Sequence, residues 1–313
     1  MLTSAPILAL ALLAFGASAQ PLRLEPVKVA ENVYAFVGEA GEPTVGNRGH
    51  VGNAGFIVGE DGVIVVDTGI SYRHGQAMLD AIARVSPRPV RLVIITHAVQ
   101  EFVFGSAAFE ERGIPLLAHI KSGELMRSRC AHCLQNLFTL LGKDLMAGSR
   151  LVLPSQTVDG TRELRIAGRA VRLLHFGWAA TPGDLAVYDQ VSGVLFAGGL
   201  VDNQRIPELR DGKLTGWVAA LVELERLPIA ALVPGHGPVA GKDAIAETRG
   251  YLLALDARVR DVYRTGTSLL EAVDEADLPQ YRDWTMYPAV HRKNAHQRYL
   301  ELELEELDAT TER

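Results

Sequence analysis

The sequence predicts a mixed α/β fold. Two blocks of short apolar strands occur along the chain, and amphipathic helical segments follow each block. Residues 63–95 show the order strand, helix, strand, which is typical of a βαβ unit in a parallel sheet covered on its faces. No Ser/Gly-rich, Pro-rich or single-charge block interrupts the 313 residues, so one large domain with a C-terminal extension is expected.

The first block contains a strand, a loop, a hairpin and a helix. Residues 33–37 alternate like a strand, and a Gly-rich loop with His50 follows at 38–52. Two apolar strands within 53–69 are joined by the turn 60–62, which indicates a hairpin. The later elements predicted for this block are a helix at 72–85, a strand at 92–95, a helix at 106–112 and a strand at 116–119.

The second block begins after a long helical stretch, residues 120–141. Asp159-Gly160 and Ala167-Gly168 are turn pairs that divide 151–176 into short strands. The elements predicted after them are a hairpin of 185–189 with 194–197, a helix at 215–226 and a strand at 229–233 that ends at Pro234-Gly235-His236-Gly237-Pro238.

Charge and the N-terminal segment restrict the partners and the location. The net charge is −6, and the 31 Lys and Arg residues are scattered, so nucleic acid is not an expected partner.

Residues 1–19 have the apolar core and the Ala17-Ser18-Ala19 ending of a signal peptide, and the apolar run is shorter than the ~20 residues of a spanning helix. We therefore expect a periplasmic or secreted protein without a membrane span after cleavage, whose partner is an unknown small molecule or a periplasmic protein.

Five motifs carry a family resemblance. The run Leu92–Gly105, LVIITHAVQEFVFG, resembles the Thr-His-x-His-x-Asp-His-x-x-Gly signature of the metallo-β-lactamase superfamily. The hairpin that ends in Asp67-Thr68-Gly69 and the segments 180–185, 196–200 and 234–237 are also similar to motifs of that family. The resemblance extends over 33–239 and implies the αβ/βα four-layer sandwich, with a site at one edge between the sheets. The expected domains are a metallo-β-lactamase-like domain at 20–265 and a helical extension at 266–313.

The resemblance also implies seven zinc-ligand positions, of which this chain keeps two. His97 and His236 are retained, but in a two-metal relative they serve different metals. Alkyl and phenyl groups have no lone pair for a metal, and Gly has no side chain. Asp67 and Asp184 are expected behind the ligands. By this resemblance Phe102 stands at the third His of the signature, and Gly199 at the Asp that bridges the two metals of a relative. The seven positions hold His97, Val99, Glu101, Phe102, Ala180, Gly199 and His236.

Two functional hypotheses follow from these substitutions. In the first, the chain is a metal-poor pseudo-hydrolase with a binding or accessory role and no cofactor. In the second, a rebuilt mononuclear site, with zinc held by His97, Glu101 and His236, hydrolyses an ester, thioester or amide. Additional ligands considered for that rebuilt site are His50, Asp184 and Asp202.

The two cysteines, Cys130 and Cys133, form a C-x-x-C pair. In an exported protein this spacing predicts a local disulfide. A thiol-disulfide redox role is the alternative, because the intervening His132 could stabilise a thiolate.

The C-terminal segment 284–305 predicts a surface helix with His291, Asn294 and His296 on a polar background. Its ending resembles an exported branch, the quinoprotein relay system zinc metallohydrolases and their sulfur-oxidation relatives, which implies an association with periplasmic quinoprotein dehydrogenase or sulfur-oxidation systems. The apolar side chains expected to dock this helix are Tyr299, Leu300, Leu304 and Leu307, and the residues that could line a pocket mouth are 49–55, Trp178 and Trp217.

Overall fold

Two β-sheets form the centre of the protein, whose computed structural model describes residues 22–311. The first sheet has the order β1-β2-β3-β4-β5-β6-β7. Strands β1 to β4 pair antiparallel, and β4 to β7 pair parallel. The strands are β1 Val27–Ala30, β2 Val33–Phe36, β3 Ala54–Val58, β4 Val63–Val66, β5 Val90–Ile94, β6 Leu116–His119 and β7 Gln156–Val158.

The second sheet has the order β12-β11-β10-β9-β8. Its pairs are antiparallel except β11 with β12, which is parallel. Consequently β11 and β12 end at the same edge of this sheet. The strands are β8 Arg162–Ile166, β9 Arg169–Leu174, β10 Ala186–Asp189, β11 Val194–Gly198 and β12 Ala231–Pro234.

Helices cover the outer face of each sheet, and a third core lies between the sheets. Val66 and Ile94 of the first sheet share that inner core with Val187 and Phe196 of the second. The outer cores contain residues of α1 to α4 on one side and of α5 to α8 on the other. The four layers are therefore helix, sheet, sheet, helix, and the predicted fold class is confirmed. The helices are α1 Tyr72–Val85, α2 Gln100–Val103, α3 Ser106–Glu110, α4 Ile120–Met146, α5 Leu214–Glu225, α6 Asp243–Arg264, α7 Leu269–Glu275 and α8 Tyr287–Thr311.

Most predicted elements are present, with differences at their ends. Helix α1 and strand β6 have the predicted bounds. Strand β1 was not predicted, because its four residues are exposed or half-buried at the sheet edge and lack an apolar run. Helix α4 extends past the predicted end at 141 and has a non-helical residue at Gly142, where φ is 82°.

The predicted disulfide is wrong. Cys130 and Cys133 are both free and lie three residues apart in α4. Cβ atoms at that helical spacing are about 5–6 Å apart, whereas a disulfide needs about 3.5–4.5 Å. A bridge would therefore require the helix to unwind. Burial, together with Cys133, raises the pKa of the Cys130 thiol to about 12, which also opposes a redox role because the reactive form is the thiolate.

Helix α8 is not the surface helix that the sequence predicted. His291 is 2% exposed and lies against α6, and Asn294 is 1% exposed and lies against α6 and the segment before α5. Leu304 and Leu307, expected to dock the helix, are each 61% exposed. Tyr299, which was also expected to dock the helix, is buried at 7% exposed. The rest of the buried face is formed by Val290, His291, Asn294, Ala295, Arg298 and Leu302, which recur with Tyr299 at helical spacing.

The extension shares its core with the second sheet. Residues of α6, α7 and α8 belong to the same apolar cluster as residues of β10 and β11. None of the helices in the described part of the chain is long and apolar enough to cross a bilayer. The predicted signal peptide, residues 1–19, lies outside the described residues.

Candidate functional site

The site lies where strands of the two sheets end. Strand β5 is followed by His97, β11 by Gly199 and β12 by His236. The carboxyl ends of parallel strands meet at one edge of a sheet, where α/β proteins place their ligands. A cavity of about 290 Å³ opens there. Six of the seven family ligand positions line it: His97, Val99, Glu101, Ala180, Gly199 and His236.

A hydrogen-bond chain behind the cavity orients His97. Both carboxylate oxygens of Asp67 accept from Thr96, Oδ1 from the backbone N at 2.8 Å and Oδ2 from Oγ1 at 2.7 Å. Oγ1 of Thr96 is also 2.7 Å from Nδ1 of His97. A hydroxyl has one hydrogen, so when Thr96 donates to Asp67 it accepts from the His97 N–H. This arrangement leaves the lone pair of His97 on Nε2.

Burial controls the charge states of this chain of residues. It raises the pKa of Asp67 to about 7 despite the two hydrogen bonds from Thr96. It lowers the pKa of His97 to about 3, with a further decrease from His236 and an opposing effect of Asp202. The His97 imidazole is therefore neutral near neutral pH.

Phe102 stands behind the cavity, at the position of the third family histidine. Its ring centroid is 4.3 Å from that of His97 and 5.3 Å from that of His236. The side chain is 1% exposed. Gly52 permits this placement, because a Cβ there would lie 3.0 Å from Cζ of Phe102. An apolar ring thus contacts both of the remaining histidines.

Gly199, at the position of the family's bridging Asp, is covered by His97. A Cβ at residue 199 would lie 2.8 Å from Cδ2 and 3.0 Å from Nε2 of His97. A distance below 3.0 Å is essentially never seen for a real Cβ atom. The imidazole therefore lies where a side chain at position 199 would begin.

Two buried polar atoms of the site have no hydrogen-bond partner. Nδ1 of His236 is 2.9 Å from Oδ1 of Asp202, and its Nε2 is buried and unpartnered. Oε2 of Glu101 is buried and unpartnered as well. Glu101 is 9% exposed and lies in the first turn of α2. Buried polar groups are normally paired, and both of these residues line the cavity.

The other predicted residues lie behind or beside the cavity. Asp184 accepts from the backbone N of Thr181 at 2.6 Å and from its Oγ1 at 2.8 Å, and burial raises the Asp184 pKa to about 7. His50 lies 5.5 Å from the ring of His74, outside the cavity lining. Trp217 lines the cavity, whereas Trp178 is 52% exposed and is absent from the lining.

The donor set does not fit zinc. Zinc needs three or four ligands at about 2.0–2.3 Å. In residues 22–311, no group of three or more His, Cys, Asp and Glu side chains is arranged to hold a metal ion. Val99, Phe102, Ala180 and Gly199 offer no donor atom, and the Cδ2–Nε2 edge of the His97 ring lies against Gly199.

Charged residues of the outer wall were missed by sequence reasoning. They come from the loop after β2, from the irregular segment after β11 and from α8, where no motif marks them. Hydrogen bonds hold this wall: Asn294 of α8 accepts from the N of Leu209 at 2.9 Å and donates to the O of Pro207 at 2.7 Å. The charged wall residues absent from the sequence prediction are Glu42, Arg205, Glu208, Arg210, Asp211 and Lys293.

Known proteins share this architecture. The chain is 25% identical over 264 residues to a linear primary-alkylsulfatase of Pseudomonas sp. (strain ATCC 19151), covering 71% of this chain and 49% of that protein. The chain thus spans about half the length of this curated relative. A metallo-beta-lactamase from Pontibacter korlensis superposes with a TM-score of 0.60 at 21% identity, covering 74% of this chain and 99% of that structure, which shows the shared fold. Residues 47–236 match the metallo-beta-lactamase superfamily profile. Because that match covers more than half of the 313 residues, the chain belongs to the metallo-β-lactamase superfamily.

Proposed function

We propose that the protein is a metal-poor pseudo-hydrolase that binds a small molecule in the cavity between its sheets. The observation that carries the proposal is the packing of Phe102 against the rings of both His97 and His236. A phenyl ring at the third histidine position supplies apolar contact where a metal-binding relative supplies a lone pair.

The substitutions at the ligand positions together remove the basis for metal-dependent hydrolysis. Hydrolysis in this superfamily relies on a metal that lowers the pKa of a bound water. With Gly199 at the bridging position and Ala180 at another ligand position, the donors that would gather such a metal are missing. The cavity nevertheless remains open, at about 290 Å³, near the lower end of small-ligand sites. A pocket of this kind can bind without catalysing.

We extend the proposal to location and context. The signal-peptide pattern of 1–19 supports export. The likeness of the C-terminal segment to the quinoprotein relay branch supports an accessory role beside periplasmic quinoprotein dehydrogenases or sulfur-oxidation systems.

A second candidate function is a hydrolase with a rebuilt site. Glu101 and His236 favour it, because each leaves a buried acceptor atom without a partner. The alkylsulfatase relative supports a sulfate ester as the substrate to test, beside the esters, thioesters and amides considered from the sequence.

Metal content distinguishes the two candidates. Inductively coupled plasma mass spectrometry would be applied to untagged protein after zinc supplementation and desalting. The parent would be compared with His97→Ala and His236→Ala, and His175→Ala would be the control for a histidine outside the cavity lining. The proposal expects far less than one metal per chain in all four proteins.

Stoichiometric metal in the parent and in His175→Ala, lost from the other two variants, would overturn the pseudo-hydrolase proposal. Release of inorganic sulfate from dodecyl sulfate by the same metal-loaded protein would then support the second candidate.

A further inference from the structure

Two acceptor atoms of residues that line the cavity have no hydrogen-bond partner. Oε2 of Glu101 is a carboxylate oxygen, buried and without a partner. Asp202 can only accept when ionised, so Nδ1 of His236 carries the hydrogen of their 2.9 Å contact. In the neutral ring, the unpartnered Nε2 of His236 is then a second acceptor. A ligand that satisfies both atoms must bring hydrogen-bond donors.

The charge of the lining also favours a ligand with hydrogen-bond donors over an anion. Five carboxylates and three basic side chains line the cavity. Arg210 is already paired with Asp211 at 3.0 Å and lies 3.6 Å from Glu208. Asp211 additionally pairs with Arg129, which lies outside the lining. Carboxylates therefore outnumber basic side chains in the lining, and an anion would meet the carboxylate of Glu101 there.

Apolar side chains form part of the lining, and the space is small. Trp217, Ile206 and Val290 contribute side chains to a cavity of about 290 Å³. A short hydrocarbon body fits these walls, since burial of apolar area stabilises it. A polar body would leave further groups unpaired.

From these observations we propose that the cavity binds a primary ammonium group carried on a short apolar body, with Oε2 of Glu101 and Nε2 of His236 accepting its N–H bonds. An ammonium has three donors and no acceptor, which complements this acceptor-only pair. A hydrogen bond spans about 2.9 Å between its two heavy atoms. Oε2 of Glu101 and Nε2 of His236 therefore need not approach the ligand as closely as metal ligands approach zinc. This inference rests on the proposed function, because it assigns a ligand class to the same cavity.

The test is calorimetric titration of the full chain with n-butylammonium. Butyltrimethylammonium keeps the charge and removes the N–H donors, and butyrate reverses the charge. We expect saturable binding of one n-butylammonium per chain at concentrations up to ~10 mM, the range for a ligand of about five non-hydrogen atoms. The quaternary ion should bind about tenfold more weakly, and butyrate should not bind.

Variants of Glu101 test the assigned acceptor. Glu101→Gln should weaken n-butylammonium binding by about tenfold, since a hydrogen bond to a charged acceptor is lost. Glu101→Asp, which keeps the charge, should retain more of the affinity than Glu101→Gln. Glu39→Gln is the matched control, because Glu39 is exposed and outside the lining. Circular dichroism melts would establish that each variant is folded.

Three results would overturn the inference: binding of butyrate as tight as that of n-butylammonium, an affinity of Glu101→Gln within about twofold of the parent, or no binding of n-butylammonium at all. These results are distinct from failure of the proposed function. Stoichiometric zinc overturns the proposed function, whereas zinc-free protein that binds no ammonium overturns only the ligand assignment.

Discussion

A side chain at position 199 and the imidazole of His97 compete for the same space, so Gly199→Ala should destabilise the fold. The new Cβ would lie 2.8 Å from Cδ2 of His97, well inside the 3.4–4 Å of ordinary contact. The ring cannot move easily, because Thr96 bonds its Nδ1 at 2.7 Å and Phe102 packs 4.3 Å away. Overpacking of this kind costs about 1–3 kcal/mol.

Part of that cost is offset in the unfolded chain. Replacing Gly by Ala reduces unfolded-state entropy and contributes about 0.4–1 kcal/mol of stability. The expected net loss for Gly199→Ala is therefore about 1–2 kcal/mol in the free energy of unfolding. Urea unfolding followed by circular dichroism measures it. Gly123→Ala is the matched control: nothing lies within 4 Å of its added Cβ in α4, so a gain of about 0.5–1 kcal/mol is expected.

A double-mutant cycle assigns the loss to His97. In a His97→Ala background the imidazole is gone, so only the unfolded-state gain of about 0.4–1 kcal/mol should remain, and the interaction energy should equal the overpacking cost of about 1–3 kcal/mol. An equal cost of Gly199→Ala in both backgrounds would refute the competition between the two residues. The same reasoning predicts that Gly199→Asp alone does not rebuild the family's bridging ligand.

Four further predictions concern pH dependence, thiols, the cavity wall and export. The pKa of Asp67 is raised from 3.8 to about 7, so its contribution to stability is complete below pH 3.8 and is lost as pH rises through about 7; relative to Asp67→Asn, the parent should lose unfolding free energy over that range. Alkylation in denaturant without reductant should modify both Cys130 and Cys133, and Cys133 should react first in the native protein. Asn294→Ala should cost about 2–4 kcal/mol, measured by urea unfolding, because it leaves buried backbone groups unpaired. Mass spectrometry of protein from the periplasmic fraction should find a chain that begins at Gln20.

Each of these has a result that contradicts it. A parent-minus-variant stability difference that does not change between about pH 4 and pH 7 would contradict the assigned Asp67 pKa. An unreduced chain two hydrogens lighter than expected would show a disulfide. An Asn294→Ala variant as stable as the parent would contradict the role of the wall hydrogen bonds, and a mature chain that keeps residues 1–19 would contradict export.

Local sequence patterns identified most of the fold. Apolar runs bounded by Gly and Pro predicted α1, β6 and the two hairpins, because strand and turn preferences act over a few residues. The edge strand β1 escaped this reasoning, since its stability comes from pairing with β2 and its residues remain largely exposed. Helix α8 was predicted as a helix but with the wrong buried face, because His291 and Asn294 become acceptable in a core only through Tyr251, Pro207 and Leu209.

By itself, the sequence determined the family resemblance, the order of the elements and the seven positions where a relative holds zinc, since each depends on residue identity in short segments. Only the tertiary structure decided that the His97 ring covers Gly199, that Phe102 contacts both histidines, and that Glu101 keeps a buried, unpartnered oxygen. It also decided that two cysteines three apart remain thiols. These features depend on distances between atoms brought together by packing, and residue spacing along a chain does not specify such distances.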